Sequence, residues 1–184
     1  MNPHVSCPRF QGETFMLRLV TMEDAPALLR VYSDEAAWPL FNSDNCHGDL
    51  FRYTTVERMR EAIAFWLASY REGWFVRWAV VAEGAAVGTV EMFRRRAEDA
   101  YDGRGILRVD LGSAWERPEC IREIVELLLP HAQAMFGCAQ IATKVPPAAL
   151  ARQEALRALG FIPCGEALIG HDGTRYGDYW IWQA

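Results

Sequence analysis

The fold of this chain is decided by residues 106–161, which read ILRVDLGSAWERPECIREIVELLLPHAQAMFGCAQIATKVPPAALARQEALRALGF. Apolar and polar side chains alternate over residues 106–111, as in a strand with one buried face. The alternation places Leu107, Val109 and Leu111 together on the face that we expect to be core. The segment therefore begins with a strand.

The rest of this stretch changes its periodicity twice. Apolar positions in residues 119–136 follow the i, i+3, i+4 spacing of a helix packed on a sheet, with a bend expected at Pro130. Residues 140–145 return to strand formers, and residues 148–159 are helical up to Gly160, a typical C-terminal cap. The predicted order is strand, loop, long helix, strand and helix.

The flanking sequence supplies further elements of both kinds. A strand over residues 15–20 precedes a helix towards Tyr32, and a capping box begins a second helix that ends before Gly73. Two antiparallel hairpins are predicted, over residues 74–82 with 86–93 and over residues 162–169 with 175–182. Residues 38–53 are typical of an irregular loop, and such loops often border sites.

Length and composition exclude several classes of protein. A chain of 184 residues with 51% hydrophobic residues fits one domain over residues 1–184. It has no apolar run approaching the roughly 18 residues of a membrane span, and its net charge of −5 argues against nucleic-acid binding. Five cysteines without a C-x-x-C pair indicate free thiols and no zinc ribbon, and no metal site is predicted. Residues 1–8 lack the basic flank and apolar centre of a secretory signal, which predicts a cytoplasmic location.

Several short motifs occur in an order that carries a family resemblance. They are LRLVTMED at 17–24, VGTVE at 87–91, the strand and helix of 106–136, LGF at 159–161 and YGDYW at 176–180. Together they resemble the GNAT acyltransferase superfamily, and within it the branch of the ribosomal-protein N-terminal acetyltransferases. The resemblance implies an α/β (α+β) fold with a mixed, mostly antiparallel sheet, helices on both faces, and an opening between strands 106–111 and 140–145.

The resemblance also implies how acetyl-coenzyme A would bind. In this family the free backbone N–H groups of the fourth-strand counterpart hold the thioester carbonyl and pantetheine, which selects Val109 and Leu111. A preorganised donor at the carbonyl oxygen stabilises the charge that develops there in the transition state. Pyrophosphate would meet a glycine-rich loop at a helix N-terminus.

That glycine-rich loop has no glycine in this chain, because residues 115–121 read WERPECI. The family pattern for this loop is Arg/Gln-x-x-Gly-x-Gly/Ala, and one alignment register puts Glu116, Glu119 and Ile121 on its three defined positions. A register shifted by one puts Arg117 on the basic position and Cys120 on a glycine position. Carboxylates beside a diphosphate are electrostatically unfavourable, whereas arginine side chains can replace lost backbone contacts. The candidate cofactor-binding residues are Val109, Leu111, Arg117, Cys120, Ile121, Arg122 and Arg152.

Two carboxylates are candidates for the base that takes a proton from the attacking amine. Glu91 lies at the end of the third strand of the family pattern, and Asp110 lies on the polar face of the strand over residues 106–111. The alternative for both is an ion pair with a neighbour such as Arg108. No residue is selected as the general acid.

Two functions remain open at this point. The first is an N-acetyltransferase that transfers an acetyl group from acetyl-coenzyme A to a primary amine, on a peptide or small molecule, by direct attack in a ternary complex. The second is a GNAT-fold binding or regulatory protein that has lost acyl transfer, as the absent glycines suggest. We expect a monomer or homodimer in either case.

Overall fold

The computed structural model describes residues 2–183. Its strands, in chain order, are β1 Phe10–Gln11, β2 Met16–Leu19, β3 Val76–Ala82, β4 Ala85–Arg94, β5 Gly105–Leu111, β6 Gln140–Lys144, β7 Ile162–Pro163, β8 Leu168–Ile169, β9 Arg175–Tyr176 and β10 Tyr179–Gln183. Its α-helices are α1 Ala25–Tyr32, α2 Val56–Arg71, α3 Pro118–Glu126, α4 Ala132–Phe136 and α5 Leu150–Ala158. Short 3-10 turns span Met22–Asp24, Trp38–Leu40, Ser113–Trp115 and Leu129–His131.

Eight of these strands form one sheet in the order β1-β2-β3-β4-β5-β6-β10-β7, and β8 and β9 form a separate hairpin. Within the main sheet β5 and β6 are parallel, and the other neighbouring pairs are antiparallel. The predicted mixed, mostly antiparallel sheet is therefore confirmed. No helix within residues 2–183 combines the length and apolar character needed to cross a membrane.

Helices cover both faces of the sheet, as predicted. On one face α3 and α5 contribute Ile124 and Leu156 to a core that includes Leu107. On the other face α1 and α2 contribute Leu28 and Ile63 to a second core. The alternation over residues 106–111 explains this division, because successive strand residues point to opposite faces.

The strands β5 and β6 separate after three paired positions, Gly105↔Ile141, Ile106↔Ala142 and Leu107↔Thr143. Gly112 N donates to Val87 O at 3.0 Å, on the β4 side. Because N–H groups alternate between the two edges of a strand, those of Val109 and Leu111 point away from β4. They therefore face the opening between β5 and β6.

Two sequence predictions were wrong in detail. The helix over residues 119–136 is not continuous: α3 ends at Glu126, and a 3-10 turn containing Pro130 precedes α4. Proline lacks the N–H donor and clashes with the preceding turn, so it breaks this helix instead of bending it. The closing hairpin is also shorter, because β7 and β10 join the main sheet while β8 pairs with β9.

Replacing Gly88 with alanine is expected to destabilise the protein by about 1–3 kcal/mol. An added Cβ would overlap the backbone oxygen of Asp110 and lie 2.6 Å from Cδ2 of Leu111, so β5 would have to shift. Urea unfolding measures the effect. Gly177→Ala is the matched control, since nothing lies within 4 Å of its added Cβ. Equal midpoints for the two variants would contradict this packing.

Candidate active site

A buried ion pair occupies the loop between β5 and α3. Arg152, in the first turn of α5, donates from Nε to Oε2 of Glu116 at 3.1 Å and from Nη2 to Oε1 of the same carboxylate. The two side chains are only 3% and 6% exposed. The loop with no glycine is thus tied to α5, and the charge of Glu116 is compensated inside the protein.

The other predicted cofactor residues separate into two groups. Cys120 and Ile121 are buried in the core beneath α3, where burial raises the pKa of the Cys120 thiol. Arg117 is exposed, with Nη1 3.5 Å from Oε1 of the exposed Glu119. Ile121 therefore points into the core and Glu119 into solvent.

Arg117 and Arg122 come together at a groove of about 660 Å³ between α3 and the turn that precedes β2. The groove is also lined by Glu119, Glu123 and Glu126. Glu123 accepts hydrogen bonds from the backbone N–H groups of residues 14 and 15, at 2.8 and 3.0 Å. The groove therefore carries both signs of charge, and Arg152 is not among its lining residues. The cofactor roles of Arg117, Arg122 and Arg152 stay predictions.

Glu91 is fully buried between two guanidinium groups on the α1 and α2 face of the sheet. Its Oε2 lies 2.5 Å from Nη2 of Arg77, and its Oε1 lies 2.6 Å from Nη1 of Arg108. Burial opposes ionisation, but the two arginines lower the pKa of Glu91 below its usual value. The ion pair considered as an alternative is present, and it makes Glu91 a weak proton acceptor.

Asp110 lies beside Arg77, one of the two partners of Glu91, but its environment differs from that of Glu91. It accepts hydrogen bonds from the hydroxyl of Tyr32 and the backbone N–H of Asn42, both at 3.3 Å, and Arg77 Nη1 is 3.6 Å away. Burial raises the pKa of Asp110 above its ordinary range. Asp110 is therefore the better base of the two, and its catalytic role stays a prediction.

Opposite pKa shifts predict opposite pH dependence for two neutral variants. Because the folded-state pKa of Glu91 is lowered from 4.5, its stabilising effect exists above that value and is lost as the pH falls through the folded pKa. Because the folded-state pKa of Asp110 is raised from 3.8, the contribution of Asp110 to the free energy of unfolding of the wild type falls as the pH rises. As the pH rises from about 3.5 to 7, Glu91→Gln should thus become more destabilising relative to wild type. Over the same range Asp110→Asn should become less destabilising relative to wild type. Urea unfolding across this range tests it, and trends of one sign would refute the assignment.

Sequence reasoning missed a second polar group at the same face. Asp44, in the irregular loop over residues 41–55, receives two hydrogen bonds of 2.7 Å from Nζ of Lys144 and one of 3.1 Å from the hydroxyl of Tyr179. The carbonyl of Asp44 accepts from Arg108 Nη2 at 2.8 Å. The loop was expected to border a site, but only the fold brings Asp44 and Lys144 together.

The same loop contains unusual backbone. Phe51, a buried aromatic residue, has φ of 57°, and His47 has φ of 54°. Such values are rare for bulky residues, cost free energy, and concentrate at functional sites. In residues 2–183, no group of three or more His, Cys, Asp or Glu side chains is positioned to hold a metal ion.

Comparison with known proteins agrees with this geometry. The sequence pattern of the Acetyltransferase (GNAT) domain matches residues 14–162. A sequence comparison with curated proteins finds no match. Among solved structures, a T. thermophilus protein, provisionally assigned as an acetyltransferase, has a TM-score of 0.67 and 26% identity, with 95% of this chain and 88% of that chain covered.

Two ribosomal-protein acetyltransferases share the fold at lower identity. RimL, the ribosomal L7/L12 alpha-N-protein acetyltransferase, in complex with coenzyme A, has a TM-score of 0.70 and 13% identity over 96% of this chain and 98% of that chain. The ribosomal-protein-S5-alanine acetyltransferase of Vibrio fischeri has a TM-score of 0.68 and 20% identity over 95% and 94%. The domain match and the shared fold show that this chain belongs to the GNAT family of acyltransferases, as the order of its motifs predicted.

Proposed function

We propose that the protein is an N-acetyltransferase that transfers the acetyl group of acetyl-coenzyme A to a primary amine by direct attack in a ternary complex. The observation that carries the proposal is the opening between β5 and β6. There the strand pairing ends at Leu107, and the N–H groups of Val109 and Leu111 face the gap. Two N–H donors on a buried strand are suited to hold the thioester carbonyl.

In this proposal each part of the site has one task. Val109 and Leu111 hold the carbonyl oxygen while negative charge grows on it, and Asp110, whose pKa is raised, takes the amine proton directly or through a water. Arg152 exchanges the carboxylate of Glu116 for a phosphate of the cofactor, since a guanidinium forms bidentate hydrogen bonds with both groups. Arg117 is the N-cap residue of α3 and Arg122 lies within the helix, and both add positive charge there.

The acceptor is proposed as a peptide N-terminus or a small-molecule amine. The ribosomal-protein acetyltransferases that share the fold act on protein substrates by their descriptions, which supports the first choice. We further propose a single domain over residues 1–184, a monomer or homodimer without nucleic-acid or membrane partners, and a cytoplasmic location. The five cysteines, all free thiols in the structure, support a reducing compartment.

A second candidate is a GNAT-fold binding or regulatory protein without acyl transfer. The buried Glu116–Arg152 pair favours it, because Arg152 already has a carboxylate partner in the loop that lacks the family's glycines. Separating a buried ion pair is costly, so cofactor phosphate must replace Glu116 as the partner of Arg152. The two candidates therefore differ in whether this exchange occurs.

Calorimetric titration with acetyl-coenzyme A separates the candidates. The enzyme hypothesis expects saturable heat and a rise in thermal stability, which reaches about 2.7 kcal/mol at a ligand concentration 100 times the dissociation constant. Release of free coenzyme A in the presence of amine-bearing peptides then tests transfer. No heat and no stabilisation at about 1 mM ligand would overturn the proposal in favour of the second candidate.

A further inference from the structure

Lys144 is the only lysine in the sequence. The other eighteen of its nineteen lysine and arginine residues are arginines. Every other side-chain ion pair found within residues 2–183 uses arginine. Arginine binds a carboxylate with a planar fork, so an ion pair alone does not require lysine. Lysine differs in one chemical respect: its amine can lose a proton and act as a nucleophile, whereas a guanidinium stays protonated.

Lys144 lies beside the opening between β5 and β6, where a nucleophilic amine could react with a bound thioester. It is the last residue of β6 and directly follows Thr143, the final residue of β6 paired with β5. Continuing the register would put Lys144 beside Arg108, one residue before Val109. Lys144 is therefore the first residue of β6 beyond the paired positions, at the start of the opening toward which the N–H groups of Val109 and Leu111 point.

The surroundings of Lys144 orient its amine. Both carboxylate oxygens of Asp44 lie 2.7 Å from Nζ, and Tyr179 holds Oδ2 of the same carboxylate at 3.1 Å. The ring of Tyr176 lies 5.8 Å from Nζ. The Asp44 side chain is 8% exposed and that of Lys144 is 21% exposed, so the pair is shielded but reachable. A carboxylate in this position both aims the amine and can accept its proton.

We propose that Lys144 is an internal acceptor, so that the protein acetylates its own lysine. This inference rests on the proposed use of acetyl-coenzyme A. Lys144 first gives one proton from its ammonium to Asp44, which passes it to solvent. The free amine then attacks the thioester carbonyl carbon, a C–N bond forms, and the C–S bond breaks. Coenzyme A leaves as the thiolate and takes up the proton that the new amide nitrogen loses.

Tryptic mapping after incubation with ¹³C-acetyl-coenzyme A reads out the product directly. Trypsin cleaves after an unmodified Lys144 but not after acetyl-lysine, so modification joins residues 123–144 and 145–152 into one labelled peptide. We expect this peptide from the folded protein, at a rate independent of protein concentration because the reaction is intramolecular. Urea-unfolded protein gives the background of uncatalysed acetylation.

Two variants identify the residues involved. Lys144→Arg keeps the positive charge beside Asp44 and should yield no labelled lysine peptide. Asp44→Asn keeps the shape and removes the proton acceptor, which should slow labelling on the order of 100-fold. Label equal to the unfolded background in a protein that binds acetyl-coenzyme A by calorimetry would overturn this inference and leave the proposed function standing. Absence of binding would overturn both.

Discussion

Replacing Arg77 with methionine is expected to destabilise the protein by about 3–5 kcal/mol, because it removes one of the two buried cations that hold Glu91 and the cation beside Asp110. The Arg77 side chain is 2% exposed and pairs with Glu91 at 2.5 Å and Asp110 at 3.6 Å. It also donates to the hydroxyls of Tyr32 and Thr89, both at 3.2 Å. No water can replace these contacts without entering the core between α1, α2 and the sheet.

Arg58→Met is the matched control for Arg77→Met. Arg58 also pairs with two carboxylates, Asp49 at 2.9 Å and Glu61 at 3.6 Å, but its side chain is 45% exposed. Exposed pairs contribute about 0–1 kcal/mol, so this variant should unfold close to wild type. Urea unfolding at neutral pH measures both variants. Similar losses for the two would mean that the cluster around Glu91 is hydrated in solution.

Arg152 and Glu116 should have opposite effects on the affinity for acetyl-coenzyme A. Arg152→Met removes the proposed phosphate partner and should weaken binding by about tenfold or more, since a hydrogen bond to a charged group contributes about 1.5–3 kcal/mol. Glu116→Gln removes the competing carboxylate, leaves Arg152 available, and should strengthen binding by about tenfold. The opposite signs distinguish a phosphate exchange from a general loss of structure.

Glu119→Gln is the control for the Glu116 variant, because Glu119 carries the same charge three residues away but its side chain is 60% exposed. Screening by solvent should limit its effect to about twofold. Calorimetry on the three variants and wild type gives the comparison. Weaker binding by Glu116→Gln would show that the ion pair supports the loop in its binding conformation, and that the proposed exchange is wrong.

The sequence was sufficient for the family, for the faces of β5 and for the separation of β5 from β6, because these follow from local periodicity and motif order. Local pattern did not show which side chains meet across the fold. Glu116 and Arg152 are 36 residues apart, and Asp44 and Lys144 are 100 residues apart. Such pairs depend on how helices and loops close over the sheet, which no local spacing encodes.

Motif alignment and helical periodicity give different information about α3. The alignment selected Ile121 as a cofactor-binding residue, which stays a prediction, and its side chain is 1% exposed within the core. The helical period of residues 119–136 already placed Ile121 on the same face as Ile124 and Val125. Periodicity was thus the better guide to orientation, whereas Pro130 showed that it says little about where a helix ends.

NMR of the backbone amides during titration with acetyl-coenzyme A tests whether the free edge of β5 holds the thioester. The amides of Val109 and Leu111 should show the largest saturable shifts and slower hydrogen exchange. The amide of Asp110 points to β4 and serves as an internal control with little change. Saturable binding that leaves Val109 and Leu111 unchanged would place the cofactor elsewhere and contradict the account.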